Sequence, residues 1–367
     1  MPLGYDPASR DLLALERAPG DLGQPSGTGS GPGLLSAPAW PASQWRSAND
    51  SHDGTRFWRC RNLESAALCN WLVAEHDTGQ ALAPLCCCCR LTRTLPDLTV
   101  PDHPLWWNRI EEAKRRLVSS LIGLKLPVKS RTEDPAQGWV FDLLRSAPGG
   151  PPVITGHADG VITLDIQEAD NAWREQRRSE LAEPYRTLLG HLRHESGHYY
   201  WQRLVMPGAW LQPFRELFGD EQQDYAAALQ KHYAQGAGAP WQGQFVSAYA
   251  SSHPFEDWAE TWAHYLHLVD TLDTASSFGL DGERVELSYE RFGTEVLNGA
   301  AGAAGTERTD AQGQAFLRLI NGWMELTGVL NELSRSMGVA DFYPFVLSAQ
   351  VVKKLYLVHR VVAQGAQ

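Results

Sequence analysis

Five consecutive residues, His194-Glu195-Ser196-Gly197-His198, restrict this chain more than any other stretch. Two imidazoles four positions apart converge on one point only when the backbone between them is helical, because residues i and i+4 then stand one turn apart on the same face. So placed, both can bind one Zn²⁺ at about 2.0–2.1 Å while the Glu195 carboxylate faces a water on the metal. The flanking residues agree with a helix. Leu188, Leu189, Leu192 and Leu204 are apolar, and Met206-Pro207-Gly208 is a stop signal, which predicts a helix over 184–205.

A catalytic zinc takes three protein ligands and keeps one position open. The extended pattern H-E-x-x-H-x-x-G-x-x-H does not supply the third, because Trp201 and Leu204 stand where its Gly and last His would be. The run from His253 to Tyr265 is the source we expect, with Pro254 suited to a helix start. Glu256 and Glu260 share a face at i and i+4, as do Glu260 and His264. One carboxylate can therefore bind metal while the next orients a ligand imidazole from behind. Glu256 is the expected ligand and Glu260 the orienting carboxylate, with His264 the alternative ligand; Glu256 and Asp257 also fit a solvated acidic helix start. His191 and His267 read as helix-packing histidines, and the tryptophans around 106–107, 201, 258 and 262 as core.

All six cysteines lie between Cys60 and Cys89, four of them consecutive. Such crowding suits a spread framework of disulfides poorly and a metal site well. Cys86 and Cys89 make a C-x-x-C knuckle, and Cys60 and Cys69 can complete a tetrahedral Cys₄ site, with Cys87 and Cys88 as possible substitutes. This usage points to a reducing compartment, and the cytoplasm is the expected location. The start Met1-Pro2-Leu3-Gly4-Tyr5-Asp6 has no secretory pattern, and no apolar run reaches the ~18–20 residues that span a bilayer. Lys and Arg number 32 against 43 Asp and Glu, a net −11, so neither nucleic acid nor an anionic membrane is expected as a partner.

Residues 1–50 are expected to be a flexible Gly/Pro/Ser-rich segment with one helical piece at Ser9–Arg17. Residues 51–98 hold the cysteines, ending at Leu95-Pro96-Asp97-Leu98, and 99–367 form the main domain. From Leu105 to Leu124, Ile110, Ala113, Leu117 and Leu121 recur at helical spacing, with Glu111, Glu112, Lys114, Arg115 and Arg116 opposite, which predicts a surface helix. Strands are expected at Trp139–Leu144, Val153–Thr155 and Val161–Ile166, the last two joined by a Gly-bounded turn. Further helices are expected near 211–235, 254–273, 310–337 and 343–363.

The stretch Glu256-Asp257-Trp258-Ala259-Glu260 resembles the E-x-x-A-E helix of the glutamate-zincins, in which the first Glu is the metal ligand. Those proteins carry a tyrosine seven residues earlier whose hydroxyl faces the developing oxyanion. Tyr249 has that position here, and reads equally as an ordinary half-buried tyrosine. Nearly the whole chain resembles the bacterial zinc-binding metallopeptidases with an N-terminal zinc ribbon. The matching segments are Cys69–Leu72, Cys89–Leu98, Ala113–Val118, Glu183–His191, the H-E-x-x-H helix, Glu256–His267 and Tyr343–Leu347. Family members begin with two C-x-x-C knuckles before an L-G-F-like segment. Leu3-Gly4-Tyr5 corresponds to that segment and no Cys precedes it, which leaves one quartet.

The resemblance implies an α+β fold: a zincin-like, mostly helical metallopeptidase domain with a small sheet, preceded by a small Cys-rich zinc-ribbon-like module. It implies two Zn²⁺ ions, one catalytic and one structural, and a peptide or protein substrate. Glu195 would be the general base and Tyr249 an oxyanion donor, with Val161–Ile166 as an edge for an extended peptide. The competing reading is a non-catalytic, zinc-stabilised binding or regulatory protein that uses its ribbon for docking. Glu195 favours the enzyme, since a structural site has no need of a carboxylate beside the metal.

Overall fold

The computed structural model describes residues 3–17, 45–47, 55–77, 84–147, 149–181, 187–206, 208–236, 241–280, 289–298 and 306–366. The chain forms two compact units, one of residues 1–123, 128–155 and 163–171, the other of residues 124–127, 156–162 and 172–367.

The first unit begins with an antiparallel sheet of β1 (Leu3–Asp6), β2 (Asp11–Arg17), β3 (Trp45–Ser47), β4 (Arg56–Arg59) and β5 (Leu72–Ala74), in that order. The helix expected at Ser9–Arg17 is therefore wrong. Leu13 and Leu15 are buried and Leu12 is exposed, the two-residue alternation of a strand, and β2 finds partners on both sides, Leu3↔Ala14 and Arg17↔Trp45. Residues 3–17 and 45–47 thus belong to a folded sheet instead of the flexible segment expected over 1–50. The Gly/Pro/Ser-rich stretch between them lies outside the described residues. Leu13, Leu15, Phe57 and Leu72 form the core of this sheet. Gly4 has no room for a side chain, because a Cβ there would lie 2.5 Å from Leu72 Cδ2. Tyr5 also bridges to Trp71, with the two rings tilted and their centroids 5.1 Å apart, which draws the two edges of the sheet together.

Helix α1 (His103–Gly123) buries Ile110, Leu117 and Leu121 as the spacing predicts. Its polar face is not simply solvated. Glu111 and Lys114 are fully buried and pair at 2.7 Å, and the Thr92 hydroxyl donates to the same carboxylate at 2.7 Å while accepting from the ammonium. Burial opposes the Lys114 charge, but Glu111 outweighs it and holds the amine above its usual range.

A second sheet has the order β6 (Thr92–Thr94), β7 (Val140–Leu144), β9 (Val161–Asp165), β8 (Gly156–Ala158), with β6 and β7 parallel. The expected hairpin is present, but its first strand is Gly156–Ala158 and not Val153–Thr155. Asp159 and Gly160 both have positive φ, 47° and 72°, the two-residue primed turn that fits strand twist. The outer strands are consequently β6 and β8, with β9 between β7 and β8, which corrects the expectation that Val161–Ile166 is an edge.

The second unit is helical: α2 (Asn171–Leu181), α3 (Leu188–Tyr200), α4 (Leu211–Phe218), α5 (Tyr225–Gln235), α6 (Pro254–Ser277), α7 (Thr306–Ser336) and α8 (Ala349–Gly365). One helix expected over 211–235 is two, because Gly219 at φ 103° ends α4 and Asp224 caps α5. The helix expected from 343 starts at Ala349, where the Ser348 hydroxyl caps it by accepting from Val351 N at 3.2 Å. Residues 184–186 of the expected 184–205 helix lie outside the described residues; α3 passes into a π-turn over Trp201–Val205. Trp258 and Trp262 are fully buried on α6, and no described helix is long and apolar enough to cross a membrane.

Candidate metal centre

Helices α3 and α6 meet at Gly197. A Cβ on Gly197 would stand 2.9 Å from Ala259 Cα and 3.2 Å from Trp262 Cβ, so only glycine permits this approach. Three polar contacts hold the crossing: Trp258 Nε1 donates to Gly197 O at 2.9 Å, Trp262 Nε1 to Ser196 Oγ at 3.1 Å, and Arg193 pairs with Asp270 at 2.7 Å. Helix α3 is capped by the Thr187 hydroxyl, which accepts from Gly190 N at 2.9 Å. In α6 the N-cap is His253, Pro254 occupies the first turn, and Glu256 follows where the helix dipole favours a carboxylate.

The crossing brings His194, His198 and Glu256 together, with ligand atoms within 4.8 Å of one another. The two Nε2 atoms are 3.2 Å apart, and Glu256 Oε2 is 3.0 Å from His194 Nε2 while Oε1 is 3.6 Å from His198 Nε2. Tetrahedral ligands at zinc bond lengths stand about 3.3 Å apart, so this donor set fits Zn²⁺. The fit has a second sign. Glu256 Oε2 and Glu195 Oε2 are buried without a hydrogen-bond partner, an arrangement that costs free energy unless something else occupies those lone pairs.

The surroundings orient the donors. His194 Nδ1 donates to Glu260 Oε1 at 2.8 Å, which leaves Nε2 with its lone pair free, and Ser247 Oγ donates to Glu260 Oε2 at 2.7 Å. Tyr225 OH donates to Glu256 Oε1 at 2.8 Å. Burial opposes charge throughout, yet His198 and His194 hold Glu256 well below the usual carboxylate range, and Glu256 and Glu260 raise His194. Burial lifts the Glu195 carboxyl above its usual range, against the pull of His194 and His198. Tyr249 packs its ring 5.9 Å from His194, and burial, with Glu256, keeps its phenol well above the usual range and therefore protonated.

In the first unit Cys60, Cys69, Cys86 and Cys89 are buried with sulfurs within 4.8 Å of one another. Cys69 and Cys86 sulfurs are 3.7 Å apart, against about 3.8 Å for tetrahedral thiolates on zinc. The loose Cys60–Cys69 spacing closes through a short turn at Arg61–Glu64 and a positive φ of 46° at Leu68, and the knuckle is braced by Cys89 N donating to Cys86 Sγ at 3.4 Å. Hydrogen bonds from Cys60 and Cys86 pull the Cys69 thiol down toward thiolate. Cys87 and Cys88 stand outside the quartet, and all six cysteines are free of disulfides.

Other expected residues go elsewhere. His264 packs on Phe345 and bonds to Tyr343 OH at 2.6 Å, and His267 packs on Trp323 and Tyr343. Sequence reasoning missed Tyr225, Ser247 and His157, the last on β8 with its ring 6.4 Å from and parallel to that of His198. Ser247 sits two residues before Tyr249 in a segment already singled out; for Tyr225 and His157 the sequence carries no local signal.

Residues 104–361 match the family model described as "Putative zinc-binding metallo-peptidase", and residues 1–100 match a zinc-ribbon domain model. An uncharacterized protein of Mycobacterium bovis and one of Mycobacterium tuberculosis are each 46% identical over 308 residues, which cover 84% of this chain and 83% of the relative. No solved structure matches the chain.

Proposed function

Because the chain belongs to this family of zinc-binding metallopeptidases, we propose that it cleaves peptide bonds at the α3–α6 crossing, with His194, His198 and Glu256 as zinc ligands and Glu195 as general base. The observation that carries this reading is the triad's near-tetrahedral spacing beside a buried Glu195 whose Oε2 has no partner. Zinc, when bound, supplies a Lewis acid that acidifies water and polarises a carbonyl. Glu195 takes a proton from water and returns it to the leaving amine; its raised pKa suits both transfers. Glu260 holds the His194 ring by its Nδ1 proton, and Tyr249, proton-bearing at neutral pH, stabilises the oxyanion. The free edge of β8 offers main-chain groups to an extended peptide beside His198. The Cys₄ quartet takes a second, structural zinc.

The test is Glu195→Gln, assayed on a peptide library by mass spectrometry with zinc content measured in parallel. The expected result is wild-type zinc with cleavage lowered about 10²–10⁴-fold. Full activity in the variant refutes the base role.

A further inference from the structure

We propose that Tyr225 is a positioning residue of the metal centre, whose hydroxyl holds Glu256 as a one-oxygen ligand and so keeps a coordination position open. The inference rests on the assignment of His194, His198 and Glu256 as metal ligands.

The two oxygens of Glu256 have different surroundings. Oε1 accepts the Tyr225 hydroxyl at 2.8 Å, whereas Oε2 has no hydrogen bond and lies 3.0 Å from His194 Nε2. A buried carboxylate with both oxygens free can chelate a metal through both and fill the place water needs. A phenol bonded to one oxygen engages its lone pair, lowers its basicity and leaves the other as ligand. Tyr225 is held in place for this. It is the first residue of α5, directly after the capping Asp224, whose carboxylate accepts from Ala227 N at 3.0 Å, and its ring meets His253 edge-on at 5.2 Å. His253 is in turn the N-cap of α6, three residues before Glu256, and bonds back to Gln223 O at 3.2 Å. The tyrosine and the carboxylate are thus fixed to one local frame, although 31 residues separate them.

The experiment uses the full chain with Tyr225→Phe, which removes only the hydroxyl, and Gln230→Gly, which loosens the exposed α5 without touching it. Zinc affinity is read by competition with a chromophoric chelator. Coordination is read from the visible spectrum of the cobalt-substituted protein, taken as the difference from His194→Ala so that cobalt in the cysteine quartet cancels. We expect Tyr225→Phe to weaken zinc about 10–100-fold and to shift the cobalt bands toward a higher coordination number, with Gln230→Gly unchanged in both. Wild-type affinity and spectrum in Tyr225→Phe overturn the inference, as does an equal change in Gln230→Gly, which would trace the effect to helix packing. A His194→Ala protein that still shows the wild-type cobalt spectrum instead overturns the ligand assignment itself.

Discussion

The indole N–H of Trp258 donates to the carbonyl of Gly197 at 2.9 Å, so the helix that carries both imidazoles is tied to the helix that carries Glu256 within one turn of each of these side chains. The bond satisfies a tryptophan with no exposure to water and fixes the two helices in axial register. Glu256 and Glu260 flank Trp258 on α6, so register at this contact sets which carboxylate meets which nitrogen of His194.

Gly197→Ala tests how closely that register controls the site. The added methyl would stand 2.9 Å from Ala259 Cα, main chain that cannot rotate away. Overpacking of this kind costs about 1–3 kcal/mol. A lowered thermal midpoint together with weaker zinc binding is expected, and calorimetry with chelator competition reads both; an unchanged midpoint would show that the helices separate freely.

Elemental analysis separates the two clusters. We expect two zinc ions per wild-type chain, one in His194→Ala and one in the double variant Cys86→Ala/Cys89→Ala. A wild-type count of one that survives in His194→Ala would leave the helix pair without metal.

Lys354 donates to Asp257 Oδ2 at 2.6 Å and to Gln244 O at 2.7 Å, and lies 4.2 Å over the Phe245 ring. Burial pushes Asp257 up to about 7 even beside this ammonium. Lys354→Met removes the ammonium that favours the ionised acid, so Asp257 stays protonated to higher pH, and a loss of stability in denaturant unfolding that grows as pH rises is expected. Asp257→Asn added to Lys354→Met removes the ionisable group and should abolish that pH dependence.

Acid should destabilise the fold through His359. The Tyr265 hydroxyl and its Nδ1 are hydrogen-bonded at 2.9 Å, and burial lowers its pKa to about 4. The unfolded chain, with an imidazole near 6.5, binds a proton that the fold refuses, so stability falls as pH drops from about 6.5 to about 4. The contribution lost by pH 5 is about 2 kcal/mol. Burial lowers His264 to about 4 and His267 to about 2 as well, so His359→Leu should make the dependence of urea midpoint on pH shallower without abolishing it; an equally steep slope would show that His359 takes no part.

What could be read from sequence was whatever local spacing encodes. The i, i+4 rule places His194 with His198 and Glu256 with Glu260, and the knuckle rule places Cys86 with Cys89, before any fold is known. Failures came where a distant partner decides. Asp11–Arg17 is a strand because β1 and β3 pair with it, and a single window cannot register partners. Glu111 and Lys114 looked solvated by helical phase and are buried because Thr92 completes a polar set around them. Tyr225 reaches Glu256 from another helix, and its own neighbours in sequence give no hint of it.

The sheet formed by β1 to β5 also decides where the protein can be cut. A fragment starting at residue 51, the natural choice for isolating the cysteine loop, would discard β1, β2 and β3 and expose Phe57 and Leu72 on a bare two-strand ribbon. Such ribbons are marginal in water. Expression trials aimed at the cysteine loop should therefore retain the residues from Leu3 onward, and a shorter piece should be recovered as aggregate whatever zinc is supplied.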